Sequence, residues 1–420
     1  MRLTQKIRIY PTASQEIVLW SLSNQCRRLY NLGLAERIEA YGKGEKINYQ
    51  IQQNELILIK QANPEFRTVY SKVLQMMLNQ LDADYRSFFA LRRNGDFNAK
   101  PPNFKSRKYF TTMTYNQSGF KMERGCVKLS HKHPSGVPLC FAVPESFSFS
   151  RVYQVLVFQE EKNKYYICFV YEEKAPVYVD NGLYQAFDLG VTKHTAVNLN
   201  GRFVEFRNSR HDRYWNPILD RLQSRRDRCR KKSRRWNYLN CVFKKYKRRC
   251  SCQTKDFQHK LSRKIVDNTK ANTIIVGDLR VKKMAQLTKA PVRMNRSTQN
   301  NGYLGRFVRF LTKAELAGKR IIVIDEAYTS KRCCVCGKEH DMPLWVRVMK
   351  CDCGSVLDRD SNSSVNVMLR FLSQNALWTG YQQFVGNLRK TGLPVPIGVG
   401  GSLAGSPMRK RVVVHTFPIL

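Results

Sequence analysis

Acidic residues are scarce in this chain of 420 residues, with 32 Asp and Glu against 73 Lys and Arg and a formal net charge of +41. A compact chain with so large an excess of one sign repels itself unless a polyanion neutralises it. The excess is concentrated at residues 224–249, where 13 side chains are basic and one is acidic. Because Tyr, Phe and Trp are interleaved with the basic residues, this composition indicates a nucleic-acid-binding protein.

Long apolar segments are also absent. No run of 18 apolar residues occurs, so the sequence predicts no membrane-spanning helix. The opening MRLTQKIRIYPT lacks the continuous apolar region of a secretory signal. We therefore expect a cytoplasmic protein with no membrane partner. Its 13 cysteines should then be reduced thiols or metal ligands and not a disulfide framework.

The first half of the chain changes its hydrophobic pattern once. KIRIYP alternates as a strand does, and Thr12 with Gln15 fits a capping box at the start of a helix. Apolar residues then follow helical spacing to about residue 95. Residues 104–179 alternate again, as in VYQVLVFQ and YYICFVYE. This predicts a small antiparallel sheet or barrel, which the first strand rejoins.

The second half begins at Gly182 with a predicted hairpin of strands, followed by long basic helices. A strand at 274–276, a helix near 303–318 and a strand at 321–324 come next. This order of elements is that of an RNase H-like α/β domain. Residues 376–420 hold many Gly and Pro and little periodicity, so we expect a mostly disordered tail there.

Five of the cysteines fall within 21 positions, in TSKRCCVCGKEHDMPLWVRVMKCDCGS. Cys333 and Cys336 form one close pair, Cys351 and Cys353 form another, and a Gly follows each pair. Two such pairs are what a tetrahedral thiolate zinc site requires. Cys334 offers an alternative sulfur, because the second pair is one residue tighter than usual. We expect one structural Zn²⁺ to hold this short ribbon together.

Two acids stand where a metal-dependent nuclease would need them. Asp188 ends the predicted strand in QAFDLGVTKHTAV, and Asp360 begins a predicted helix in LDRDSNSSVNVML. Carboxylates that converge from different elements can hold two metal ions about 4 Å apart. Taken singly, each Asp also fits the ordinary role of a turn or cap residue.

Several short segments match a known family when they are taken together. They are YPTASQ, CRRLYN, LQMMLNQLDADYRSFF, PPNFKSR, FDLGV, DFQHKLS, AYTSKRCCVCG, CDCG and DRDSNSSVNV. In this combination, over residues 1 to about 372, the chain resembles the TnpB family of transposon-encoded RNA-guided nucleases, which is related to type V CRISPR effectors.

The resemblance implies an α/β multidomain protein. It would contain an RNase H-like RuvC nuclease domain with an inserted zinc ribbon that binds target nucleic acid, a helical recognition domain and an antiparallel β-barrel wedge domain. With the segment patterns, the resemblance gives the ranges 1–14 and 104–181 for the wedge barrel, 15–103 for the recognition domain, 182–328 for the RuvC domain, 329–357 for the ribbon and 358–375 for the RuvC C-terminal helix. The tail at 376–420 comes from composition alone.

The resemblance also implies that Asp188 is the first catalytic acid and Asp360 the third, and that two Mg²⁺ ions are bound. Asp358 is a neighbouring acid without that role. This chain departs from the usual family sequence D-x-N-A-A, because Ser363 and Ser364 replace the two alanines. The family's second acid is a Glu at the position that Gly277 occupies in this chain.

Two residues could replace that missing acid. Asp278 is the nearest in sequence, but neighbouring strand residues point to opposite faces, so Asp278 would need a bulge to reach the metals. Glu326 follows the next predicted strand, which should lie about 4.8 Å from strand 274–276. Gly277 would leave room for its side chain. We predict Glu326 as the second acid, with Asp278 and an inactive site that only binds as the alternatives.

By the same resemblance, the partners are a guide RNA from the protein's own locus and a double-stranded DNA target beside a short adjacent motif. The basic helices should hold the guide–target duplex by its phosphates through Arg225, Arg226, Lys231, Lys232, Arg234, Arg235, Trp236, Lys244 and Lys245. The residues that align with readers of the adjacent motif are Tyr49, Gln75, Asn116 and Gln117, for which ordinary surface polarity is the alternative.

We expect a monomer in a prokaryotic cytoplasm, associated with the nucleoid when it is bound to DNA. Three other functions stay open at this point. The chain could be a guided DNA-binding protein that does not cut, a CRISPR-associated type V effector of the same architecture, or a transposase that acts without a guide.

Overall fold

The computed structural model describes residues 1–391 except 124, 148, 150, 279–303 and 344, and it leaves out the side chains of 304–306 and 312. The chain divides into two compact units, residues 1–174 and the part from residue 175 onward. No helix in the described part combines the length and the apolar composition needed to span a membrane.

The first unit begins with strand β1 (Arg2–Ile9) and three long helices. The helices are α1 (Ala13–Gly42), α2 (Tyr49–Ala62) and α3 (Ser71–Arg93), and a short 3-10 helix, Pro64–Thr68, precedes α3. The predicted capping box is confirmed, because Thr12 accepts from the backbone of Gln15 while the Gln15 side chain accepts from the backbone of Thr12. The predicted apolar face of α1 is buried from Leu19 to Gly33.

Two antiparallel sheets complete the first unit. One has the order β1-β7-β6-β2 and the other β3-β4-β5. The strands are β2 (Met113–Asn116), β3 (Phe120–Glu123), β4 (Cys126–Leu129), β5 (Leu139–Ala142), β6 (Arg151–Glu161) and β7 (Lys164–Glu172). The first strand rejoins the sheet as predicted, because β1 pairs with β7 along its whole length.

The expected barrel is wrong, since no closed barrel forms among the described residues. After β2 the chain turns at Gly119 into the separate three-stranded sheet, so β1 and β2 both remain open edges of the larger sheet. Helix α3 packs against β2, and apolar side chains of both sheets and of α1 and α3 form one core. The sheet is therefore covered by helices instead of being closed on itself.

The second unit is built on a five-stranded sheet of order β10-β9-β8-β11-β12. The strands are β8 (Tyr184–Leu189), β9 (Lys193–Asn198), β10 (Phe203–Arg207), β11 (Thr273–Gly277) and β12 (Arg320–Ile324). Strand β11 lies between β8 and β12 and is parallel to both, while β9 is antiparallel to β8 and β10. This confirms the predicted hairpin and the predicted neighbourhood of strands 274–276 and 321–324.

Helices cover both faces of this sheet. They are α4 (His211–Asp227), α5 (Arg234–Asn268), α6 (Leu304–Leu311), α7 (Arg359–Gln374) and α8 (Trp378–Lys390). Ile275 packs with residues of α7 and α8 on one face, whereas Ile274 and Val276 pack with residues of α5 and α6 on the other. A strand buried on both faces needs the continuous apolar sequence that β11 has.

The predicted tail is wrong for part of its length. Residues 378–390 form α8, and its Phe384 and Leu388 are buried in the same core as α7. The rest of the predicted tail, residues 392–420, lies outside the described residues. Between β12 and α7 the chain forms a small ribbon with strands β13 (Val348–Lys350) and β14 (Val356–Asp358).

Candidate active site and cysteine cluster

Side-chain alternation brings the predicted acids to one face of the five-stranded sheet. In β8, Phe187 and Leu189 belong to the core on the α5 side, which leaves Asp188 between them for the α7 side. In β12, Ile322 and Ile324 pack on the α7 side, and Glu326 follows two residues later. Gly277 is two residues beyond Ile275 in β11, so it lies on the same face of the sheet as Ile275.

The space beside Gly277 is filled by Glu326. A Cβ atom placed on Gly277 would lie 2.8 Å from Cβ and 2.9 Å from Cδ of Glu326, and still closer to its Oε2. Glu326 is therefore where the side chain of residue 277 would otherwise be, as the predicted relocation requires. Asp278 is exposed, and its backbone N–H extends the ladder to the carbonyl of Ile324 at 2.6 Å.

Helix α7 supplies the third acid. Asp358 caps the helix by accepting from the backbone N–H groups of Asp360 and Ser361, at 3.0 and 3.2 Å. Asp358 is therefore an N-cap residue of this helix. Asp360 lies in the first turn of the helix, and one turn later the buried Ser363 hydroxyl donates to Oδ1 of Asp188 at 3.1 Å. The start of α7 thus meets the end of β8.

The three carboxyl groups resist ionisation in the absence of a counter-charge. Burial, followed by the charge of Asp360, raises the pKa of Asp188 to about 7, while the Ser363 hydrogen bond opposes the rise. Burial, followed by the charge of Asp188, raises the pKa of Glu326 to about 8. Burial also raises the pKa of Asp360. Divalent cations would remove this penalty by neutralising the crowded carboxylates.

The three acids are a set of hard oxygen donors. Asp188 is electrostatically coupled to both of the others, because the charge of Asp360 raises its pKa and its own charge raises the pKa of Glu326. Carboxylate oxygens are the ligands that hard divalent cations prefer.

Lys193 at the start of β9 is a further site residue, which the sequence reasoning missed. Its Nζ atom lies 2.6 Å from Glu205, 3.5 Å from Asp358 and 3.9 Å from Asp360. Lys193 comes five residues after Asp188 in the chain, across the turn at Gly190. That proximity to a predicted catalytic acid was the signal that could have found it.

The four predicted zinc ligands come together. Sγ of Cys333 lies 3.7 Å from that of Cys353, and Sγ of Cys336 lies 3.4 Å from that of Cys351. Zn–S bonds of about 2.3 Å place tetrahedral sulfurs roughly 3.8 Å apart, so this group can hold a structural metal ion. The alternative ligand Cys334 lies outside the group.

Local backbone geometry forms the two halves of this cluster. Gly337 and Gly354 have positive φ values of 76° and 85°, and their N–H groups return to the carbonyls of Cys333 and Cys351 at 2.9 and 3.0 Å. These positive φ values show why a glycine follows each pair.

The thiolate form of one ligand is also favoured. Backbone hydrogen bonding at Cys353 lowers the pKa of the Cys351 thiol to about 6, and the thiolate is the form that binds a metal.

The predicted phosphate-binding residues lie on a pair of packed helices. Arg225 and Arg226 are on α4, Lys231 and Lys232 are in the connection, and the rest are on α5. The side chains that are exposed are Arg225, Lys231, Lys232, Arg234, Arg235, Lys244 and Lys245. Trp236 and Arg226 are half-buried, and the Arg226 guanidinium lies 5.9 Å from the Trp236 ring centre, so these two also hold the helices together.

The four residues predicted to read an adjacent motif are all in the first unit. Tyr49 begins α2, Gln75 is on α3, Asn116 ends β2, and Gln117 follows it. Tyr49, Gln75 and Asn116 are half-buried and Gln117 is exposed. Because α3 packs against both α2 and β2, the elements that carry these residues are neighbours. Their role in reading DNA stays a prediction.

Three family models match parts of this chain. The Cas12f1-like TNB domain matches residues 305–367, the OrfB_IS605 "Probable transposase" model matches 168–288, and a helix-turn-helix model of the same group matches 1–46. In this structure residues 1–46 contain β1 and the single long helix α1, and not two short helices.

Similar proteins match over most of their length. A "Putative RNA-guided DNA endonuclease" of Streptomyces pristinaespiralis is 27% identical, over 89% of this chain and 90% of its own. "TnpB-like protein L79" of Acanthamoeba polyphaga mimivirus is 23% identical, over 87% of this chain and 72% of its own. A solved Cas12f1–sgRNA–target DNA complex has a protein chain that is 13% identical, with a TM-score of 0.55, over 87% of this chain and 98% of that one.

The chain is a mixed α/β protein whose fold resembles that of the protein chain in the Cas12f1 complex. The matching family models and the names of the curated relatives support a more specific assignment, which is to the TnpB family.

Proposed function

We propose that this protein is an RNA-guided DNA endonuclease. It cleaves double-stranded DNA next to a short target-adjacent motif, with a guide RNA from its own locus. Its single active site is of the RuvC type, in an RNase H-like domain, and contains two Mg²⁺ ions and a relocated second acid. The observation that carries the proposal is the position of Glu326 in the space beside Gly277, next to Asp188.

The names of the relatives support guided cleavage, and the acids support a metal-dependent mechanism. Asp188, Glu326 and Asp360 would hold the two ions, which when bound activate a water and stabilise the leaving oxygen at a phosphate. Ser363 fixes the orientation of the Asp188 carboxylate by its hydrogen bond. Asp358 fixes the start of α7 and with it Asp360. Hydrogen bonds within the protein therefore position two of the three acids, Asp188 and Asp360.

The remaining predicted residues support recognition. The exposed basic side chains of α4 and α5 bind the phosphates of the guide–target duplex without reading its sequence. Tyr49, Gln75, Asn116 and Gln117 read the adjacent motif, and Zn²⁺ on the four cysteines holds the ribbon between β12 and α7 in place. The protein works as a monomer in the cytoplasm of a prokaryote.

The test is a cleavage assay of the protein with RNA from its own locus, on plasmids with randomised bases beside the target. We compare wild type with Glu326→Gln and Asp278→Asn in the presence of magnesium. We expect cleavage by wild type and by Asp278→Asn and none by Glu326→Gln. Cleavage that survives Glu326→Gln would show that the second acid is elsewhere.

A protein that binds one flank but never cuts is the second candidate, and Gly277 in place of the usual acid is the observation that favours it. In that case the assay gives guided binding without product from any variant. The genes beside this one distinguish a transposon protein from a CRISPR effector, because a transposon end accompanies the former and a CRISPR array the latter.

A further inference from the structure

One face of α7 holds the segment that carries Glu326. Asn362, Asn366 and Arg370 are spaced four residues apart and so share a helix face. Asn362 and Asn366 both donate to the carbonyl of Arg332 at 2.7 Å, and Asn366 donates to that of Thr329 at 2.8 Å. The backbone of residues 325–334 thus runs along this face and is bound to it at several points.

Arg370 binds the backbone on both sides of Glu326. Its Nη1 donates to the carbonyl of Asp325 at 2.6 Å, and its Nη2 donates to the carbonyl of Ala327 at 2.9 Å. The carbonyl between them, that of Glu326, accepts from the Thr329 N–H at 3.1 Å and from the Thr329 hydroxyl at 2.9 Å. The three successive backbone carbonyls of residues 325–327 therefore all accept hydrogen bonds, from either Arg370 or Thr329.

This support replaces what a strand would provide. An acid at position 277 would be fixed by the sheet, because Gly277 pairs with Ile324 of β12 and the preceding residue, Val276, also pairs with Phe187 of β8. Glu326 instead lies beyond the end of β12, where the ladder closes with the Asp278 N–H on the Ile324 carbonyl. Past that point the sheet no longer positions the backbone, and Arg370 and Thr329 do so.

We propose that Arg370 is a positioning residue for the relocated acid, because its guanidinium binds the carbonyls of Asp325 and Ala327. Since Arg370 and Asp360 lie on the same helix, α7, these bonds fix the position of Glu326 relative to Asp360. This inference rests on the proposed function. It assigns Arg370 no contact with substrate or metal. The planar guanidinium allows Arg370 to bind two carbonyls at once. A lysine at the same position would keep the positive charge but could not reproduce this two-pronged geometry.

The experiment compares Arg370→Lys and Arg370→Met with Arg389→Met in the full chain. Arg389 is an exposed arginine near the end of α8, so its variant removes one positive charge away from the acids. We measure the single-turnover cleavage rate at saturating magnesium and the guided affinity for target DNA. Mn²⁺ binding to the RNA-free, zinc-loaded protein is measured by electron paramagnetic resonance.

Both Arg370 variants should cleave about 10- to 100-fold more slowly, because a misplacement near 1 Å has that cost. Their affinity for target DNA should be unchanged, their Mn²⁺ binding weaker, and Arg389→Met should resemble wild type throughout. Wild-type cleavage by Arg370→Lys overturns the inference, because the fork is then unnecessary. Equal losses of target binding and of cleavage also overturn it, because they indicate a general structural role.

Failure of the proposed function is separate from these results. Glu326→Gln reports on the acid itself, by cleavage and by Mn²⁺ binding, in the same assays. If Glu326→Gln cuts and binds Mn²⁺ as wild type does, the proposed function fails whatever Arg370 does. If Glu326→Gln loses both and Arg370→Lys loses neither, the active site stands and the inference about Arg370 falls.

Discussion

The side chain of Glu326 occupies the space that a side chain on residue 277 would need. A Cβ on Gly277 would lie 2.8 Å from Cβ of Glu326, which is closer than non-bonded carbon atoms approach. A carboxylate at the end of β11 and one at residue 326 therefore exclude each other in this backbone. Relocation of the acid and loss of the side chain at 277 are one structural change.

Gly277→Ala should lower both stability and cleavage. The new methyl group must displace the half-buried Glu326 side chain, and overpacking of this kind costs about 1–3 kcal/mol. The measurements are the thermal midpoint and the cleavage rate. Gly386→Ala is the matched control, because a Cβ there meets nothing within 4 Å and the residue is helical. Stability of Gly277→Ala equal to that of the control would show that a methyl group fits beside Glu326.

Stability in the absence of magnesium should fall as the pH rises toward 8. Burial raises the pKa of Glu326 to about 8 in the folded chain, whereas an unfolded Glu titrates near about 4.3. Between these values the folded state keeps a proton that the unfolded state has released, so a rise in pH favours unfolding. The thermal midpoint of wild type relative to Glu326→Gln should therefore drop across this window. A difference that does not change with pH would contradict the burial of an acid at 326.

Ser363→Ala should slow cleavage by roughly tenfold, because Asp188 loses a hydrogen bond worth about 1.5 kcal/mol to a charged group. Ser364→Ala is the control, since its hydroxyl bonds the Ser361 carbonyl within the helix and touches no acid. Rates under single-turnover conditions decide the matter. Equal rates for the two variants would mean that the hydroxyl does not orient Asp188.

Cys336→Ser should release the bound zinc, and Cys334→Ser should retain it. The two cysteines are close in sequence, but only Cys336 belongs to the four-sulfur cluster. Zinc content is measured by atomic absorption on the purified full chain. Retention of one zinc by Cys336→Ser would remove this residue from the ligand set.

Lys231→Gln with Lys232→Gln should weaken nucleic-acid binding and reduce its salt dependence. For duplex DNA, the slope of log K against log salt becomes shallower by about 0.9 for each phosphate that the protein no longer neutralises. The double variant Arg389→Gln with Lys390→Gln removes the same charge from the end of α8. Affinities across a series of salt concentrations should separate the two pairs. Identical slopes would place the connection between α4 and α5 away from the phosphates.

The sequence predicted most elements of the second unit because β8, β9 and β11 are largely buried on both faces and glycines mark several of its turns. The prediction of Glu326 as the second acid combined the family resemblance, which places that acid at Gly277, with the expected neighbourhood of strands β11 and β12, which do pair. Helix α8 was missed because the Gly and Pro content of the segment was applied to all of residues 376–420. Tyr381, Phe384, Val385 and Leu388 in fact follow helical spacing and pack against one core. Arg370 was missed because its partners are backbone carbonyls, which leave no trace in a sequence.

Helix α7 has a fixed length between Asp360 and Arg370 for a geometric reason. Its residues bind, in turn, Asp188, the ribbon's entry and the backbone beside Glu326. One residue added or removed in this stretch would rotate every later side chain by about 100° around the helix axis. The attachments before and after the change could then not form together, so an insertion or deletion here disrupts the site as a whole, while a single substitution breaks one attachment.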